Sequence, residues 1–172
     1  MGFAYVVRGM RGALDHAEGK EMPKRIATVG YEGLPPEVFL HVLREAGVQR
    51  VVDVRAIANS RKPGYAKRVL AAALGGAGIE YVHLPALGTP AEGRAAVRAG
   101  RPAVMRRIFE AKLAKPATHE ALAGLADLAS GKPTCLLCLE ADPAQCHRML
   151  IAEALQDNWN FVIQHLPVGK GE

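Results

Sequence analysis

The chain reads as an open, mainly parallel α/β sheet of about five strands with helices on both faces, a Rossmann-like three-layer arrangement. Three observations carry this reading. Short apolar strands alternate with helical segments from residue 25 onwards, with no internal repeat or linker between them. Thr134 to Leu139 is an unbroken apolar run, the mark of a strand buried on both faces rather than one. Hydrophobic residues make up 49% of the chain but aromatics only 5%, so Ala, Leu and Val dominate, which suits helices laid on a parallel sheet better than a β-sandwich.

The elements follow in order. Ile26 to Val29 is the first strand, Gly30-Tyr-Glu-Gly33 a turn, and Pro35 or Pro36 to Glu45 a helix that Ala46-Gly47 stops, because glycine takes the left-handed conformation cheaply at a helix end. Arg50 to Arg55 is the second strand, leading into a loop rich in charge. A helix from about Ala66 to Ala77 and a strand from Ile79 to Leu84 come next. Ala91 to Lys115 favours helix but is interrupted by Gly93, Gly100 and Pro102, which predicts two short helices and a mobile connection. Thr118 caps a helix to Ala129, the apolar strand follows, and Asp142 and Pro143 start a helix running to about Gln156, with Gln145 placed to complete a capping box. Asn160 to His165 closes the sheet. Residues 1–24 mix Gly, Arg and Glu and read as a loosely attached extension ahead of one α/β domain over residues 25–172.

The net charge of +5 and a pI near 9.3 accommodate an anionic partner. Three cysteines without disulfide-like spacing suit a reducing compartment, and no run approaches the length of a membrane span, so a cytoplasmic protein with no membrane partner is expected.

Ligands in open α/β sheets bind at the carboxyl ends of the strands, and the polar clusters fall there. The first strand ends in Gly30, Tyr31, Glu32 and Gly33, the second in Asp53 and Arg55, the third in His83, the fourth in Cys138 and Glu140. The following helix brings Cys146, His147 and Arg148, near a helix N-terminus that favours anions and lowers a thiol's pKa. These residues sort into roles. Cys138 or Cys146 is the candidate nucleophile, and Glu32, Glu140 or His83 the acid or base. Gly30, Tyr31, Gly33, Asp53, Arg55, Arg61, Lys62, His147 and Arg148 are the ligand-binding candidates, with the arginines suited to phosphate or carboxylate. Either Asp53 holds Arg55 as a structural pair or both belong to the site. The expected ligand is small and anionic.

No cofactor and no metal is assigned. Cys135-x-x-Cys138 with Cys146-His147 downstream has the look of a zinc site, but residues three apart on a strand point to opposite faces, whereas a zinc knuckle turns between its cysteines. A set built on Cys138, Cys146 and either His83 or His147 stays open. Arg94 to Lys115 is basic enough for a nucleic-acid footprint, although it lacks aromatics for base stacking. A nucleic-acid or protein binding module, its Cys-His-Arg junction purely structural, is therefore the alternative to an enzyme or ligand-binding protein.

Taken together, Thr28-Val-Gly-Tyr-Glu-Gly33, Val51-Val-Asp-Val-Arg55, Ser60-Arg-Lys-Pro-Gly64, Tyr81-Val-His-Leu-Pro85, and Cys138-x-Glu140 with Cys146-His-Arg148 resemble domain-of-unknown-function family 488 (DUF488) from about Ile26 to Leu166. The resemblance implies a compact α/β domain and points to these same residues, without an activity.

Overall fold

The computed structural model describes residues 22–168. Among these residues, five strands form one sheet in the order β3-β2-β4-β1-β5, and every pairing is parallel. They are β1 (Lys24–Gly30), β2 (Arg50–Asp53), β3 (Glu80–His83), β4 (Thr134–Cys138) and β5 (Phe161–His165). Six α-helices connect them: α1 (Pro36–Glu45), α2 (Lys67–Gly76), α3 (Ala91–Arg98), α4 (Pro102–Leu113), α5 (Pro116–Gly131) and α6 (His147–Trp159). The three-layer α/β expectation holds, with the sheet wholly rather than mainly parallel.

The layers follow from the handedness of the crossovers. From β1 to β2 and on to β3 the chain steps towards one edge of the sheet; from β3 to β4 and on to β5 it steps back towards the other. A right-handed crossover must then change faces when the direction reverses. Accordingly Phe39 and Leu43 of α1 and Leu70 and Leu74 of α2 pack with Val29, Val51, Cys135 and Leu137 on one face. Phe109, Leu125 and Leu150, from α4, α5 and α6, pack with Ile26, Val52, Leu136 and Cys138 on the other. Strand β4 is buried at all five positions because it sits centrally between both layers. Its neighbours β2 and β1 send their chains to the opposite face from its own, which opens crevices beside the carboxyl end of β4.

Several boundaries differ from expectation. Helix α5 begins at Pro116, not at a Thr118 cap; Thr118 is buried within the first turn, and proline suits that first helical position. The expected mobile connection within Ala91 to Lys115 is a tight turn, closed by the Arg101 N–H donating to the Ala96 carbonyl at 2.9 Å. Most of the predicted N-terminal extension lies outside the described residues.

Candidate functional site

Strand β4 alternates its side chains, so Cys135 and Leu137 face α1 and α2 while Leu136 and Cys138 face the other layer. This separates Cys135 from Cys138, as the spacing requires. Beyond Cys138 the expected helix from Pro143 does not form as one piece. Asp142 accepts the Ala144 N–H at 2.9 Å and the Gln145 side-chain amide at 3.3 Å, which caps a single 3-10 turn, Pro143–Gln145. Cys146 then takes extended backbone, φ −122° and ψ 142°, and α6 starts at His147. Because Asp142 caps the short turn rather than the long helix, Cys146 becomes the helix's N-cap residue and the chain returns to Cys138.

Three groups meet there. His147 Nδ1 lies 3.7 Å from Cys138 Sγ and 3.8 Å from Cys146 Sγ, while its Nε2 is 2.8 Å from the Val54 carbonyl oxygen. The Cys138 thiol donates to Glu140 Oε2 at 3.4 Å. All three groups are buried, with exposures of 5% for Cys138, 2% for Cys146 and 4% for His147. Their protonation is linked. The hydrogen bond with Cys146, burial, and the charge of Glu140 together push the Cys138 thiol well up. Burial would also raise Cys146, but the Cys138 hydrogen bond, His147 and the Arg148 charge outweigh it and draw its thiol down. Burial lowers His147, yet its bonds to Cys146 and Val54 leave it raised. Burial above all pushes the Glu140 carboxyl up to about 7.

Two buried arginines brace the loops. Arg55 donates from Nε and Nη2 to the two carboxylate oxygens of Asp53 at 2.8 and 2.6 Å, and from Nη1 to Tyr31 Oη and the Tyr65 carbonyl. Tyr81 donates to the same Asp53 carboxylate at 2.6 Å. Burial opposes the Arg55 charge, but the bond and charge of Asp53 outweigh it and hold the guanidinium protonated. So Asp53 is the structural partner of Arg55 and is itself fully buried. Arg148, expected to hold an anion, is 1% exposed and donates instead to the carbonyls of Glu140 and Ala141 and to Thr28 Oγ1. It pins the loop after β4 to β1.

The remaining expected residues divide the same way. Glu32 accepts the Ala141 N–H at 3.0 Å, and His83 Nε2 sits 2.8 Å from the Arg55 carbonyl, so both fasten backbone. A Cβ on Gly30 would collide with the Glu140 carbonyl, so glycine there lets β1 approach the loop closely. Gly33 turns the chain at φ +77°.

A cleft of about 450 Å3 lies over this junction. Tyr31, Arg55, Arg61, Lys62, Cys138, Glu140 and His147 line it, joined by Arg94 and Arg98 of α3 and by apolar Ile57, Val97 and Leu139. Gly30, Glu32, Gly33, Asp53, His83, Cys146 and Arg148 are not among its lining residues: Gly30, Asp53, Cys146 and Arg148 are buried, His83 is half-buried, and Glu32 and Gly33 are exposed. The wall is held by stacking of Tyr31 on Tyr65, ring centroids 4.2 Å apart, and Lys62 Nζ donates to the Tyr31 carbonyl. Arg94 and Arg98 are the lining residues that sequence reasoning assigned elsewhere, to a nucleic-acid stretch. Their spacing of four, which puts them on one helix face, was the available signal.

The family model described as "Domain of unknown function DUF488" matches residues 35–155, well over half of the chain. The chain belongs to this family. The DUF488 match takes in Arg55, the charged loop, α3 and the whole Cys138-to-Arg148 junction, but not the Gly30–Gly33 turn, so it is narrower than the span from Ile26 to Leu166 expected from the motifs. No curated protein and no solved structure matched. Among the described residues of this DUF488 chain, no helix is long and apolar enough to cross a membrane.

Proposed function

We propose that this DUF488 protein binds a small phosphate- or nucleotide-like anion in the cleft and acts on it with the groups at the cleft floor, Cys138, Glu140 and His147. One observation supports this above the rest. Arg61, Lys62, Arg94 and Arg98 line a single cleft in which Glu140 is the one carboxylate among the lining residues. None of the four basic side chains is in an ion pair within the described residues. Arg55 adds little to this charge, since Asp53 matches it. A cleft of this size suits a small molecule, and guanidinium groups bind phosphate or carboxylate oxygens in pairs. Ile57, Val97 and Leu139 leave an apolar strip for the rest of such a ligand.

A nucleic-acid surface along Arg94 to Lys115 has less behind it. Arg94 and Arg98 line the cleft, and Arg106 is paired with Glu110 and Glu153. The test is calorimetric titration of the full chain with inorganic phosphate, pyrophosphate and adenosine monophosphate, at low and high salt. The expected result is saturable binding at one site per chain, weakened but not abolished by salt. Binding of random single-stranded RNA without any small-anion binding contradicts the proposal and favours the binding-module alternative.

A further inference from the structure

We propose that Cys138, Cys146 and His147 hold one thiophilic metal ion, zinc foremost, with its fourth position open to the cleft. This departs from the expectation of no metal. The spacing argument against a Cys135–Cys138 pair stands, and the set left open by the sequence is the one that the fold assembles.

Four observations carry it. First, the three ligand-capable atoms lie within 4.8 Å of one another, with Nδ1 at 3.7 and 3.8 Å from the two sulfurs. Zinc bonds of about 2.3 Å to sulfur and 2.0 Å to nitrogen, at a tetrahedral angle, place sulfur and nitrogen roughly 3.5 Å apart. Second, the other ring nitrogen is 2.8 Å from the Val54 carbonyl, the kind of outer contact that fixes the tautomer of a metal-ligating histidine and aims its free nitrogen. Third, two thiolates and a neutral imidazole around a divalent ion make a set with no net charge. That suits a place where every ligand is at least nine-tenths buried. Fourth, the ligands come from a rigid frame: Cys138 ends a central strand, Cys146 and His147 begin α6, and Arg148 ties the loop between them to β1. Sulfur and imidazole donors select zinc and its soft neighbours over magnesium or calcium.

Cys138 and His147 line the cleft, and Glu140 Oε2 stands 3.4 Å from Cys138 Sγ. The fourth position is therefore one that water, or an oxygen of the bound anion, reaches from the cleft, with Glu140 beside it. Three protein ligands and one exchangeable position mark a reactive zinc site rather than a purely structural one. Only this last step, the anion as fourth ligand, rests on the function proposed above.

The experiment is metal analysis of the full chain, purified without a histidine tag, followed by reconstitution with cobalt(II). About one zinc per chain is expected, falling below about a tenth in Cys146→Ser and His147→Ala and unchanged in Cys135→Ala. Should those variants fold poorly, the unmodified chain still decides. Cobalt must give the thiolate-to-metal charge-transfer band and intense visible bands of a tetrahedral site, displaced by zinc. A chain that takes up neither metal, or keeps its metal in a folded Cys146→Ser variant, overturns the site. Phosphate is then added to the cobalt form while its binding is followed by calorimetry. A change in the visible bands is expected; phosphate binding that leaves them unchanged overturns the open position. Phosphate binding by a chain with no metal leaves the anion cleft standing, and metal without phosphate binding does the reverse.

Discussion

Replacing Asp53 with Asn destabilises the protein by about 3–5 kcal/mol, the usual cost of leaving one member of a buried ion pair without its partner. The two side chains are almost wholly buried and joined through two oxygens, so no water replaces what is lost. Tyr81 loses the carboxylate it donates to as well. Set against a typical stability of about 5–15 kcal/mol, this brings the domain near the edge of folding. Urea unfolding of Asp53→Asn, of Arg55→Met and of the double variant checks the cause. The double variant should be markedly less destabilised than the two single effects added together, because it removes the stranded charge. Strict additivity would mean that the pair is not the origin of the loss.

Exchanging Arg94 and Arg98 together for Glu weakens phosphate and pyrophosphate binding by at least about 100-fold, since each charge-assisted hydrogen bond contributes about 1.5–3 kcal/mol. Both residues lie on a short helix at the cleft's rim, and neither has a carboxylate partner within the described residues. Arg94 gives up one hydrogen bond, from Nη1 to the Thr89 carbonyl at 2.8 Å, so the fold should persist with a modest loss of about 0.5–1.5 kcal/mol. Arg106→Glu and Arg107→Glu are the control pair, equal in charge and outside the cleft lining, and should leave binding within about twofold apart from long-range screening. Equal losses in both pairs would point to a diffuse basic surface.

The sheet was legible because its signals are local and redundant. An unbroken apolar run as short as Thr134 to Leu139 favours a central strand over a buried helix, and β4 is central; the turn glycines and the alternation of strand and helix located the rest. The junction residues were legible as a group for the same reason, since Cys138 to Arg148 is one continuous stretch. Their individual roles were not. Arg148 and Arg55 have the same side chain as Arg94 and Arg98, and only the fold shows that the first two donate from Nε, Nη1 and Nη2 to protein acceptors while the last two line a cleft, Arg94 keeping one bond to the Thr89 carbonyl. The restart of the helix at His147 depended on whether Asp142 would cap a 3-10 turn or a long helix, and both choices satisfy the same local rule. Glu32 and His83 drew attention as strand-end acids and bases, yet backbone groups brought close by tertiary packing claim them.

The central claim is that the cleft over Cys138 is where a small anion binds. The most direct measurement is a phosphate titration of uniformly nitrogen-15-labelled protein followed by NMR. Saturable shifts should concentrate on the amides of Tyr31, of residues 56–62, of Arg94 to Arg98 and of Cys138 to Glu140, the segments that line the cleft. Shifts spread along Arg106 to Lys115, or none at any of the lining residues, would contradict it.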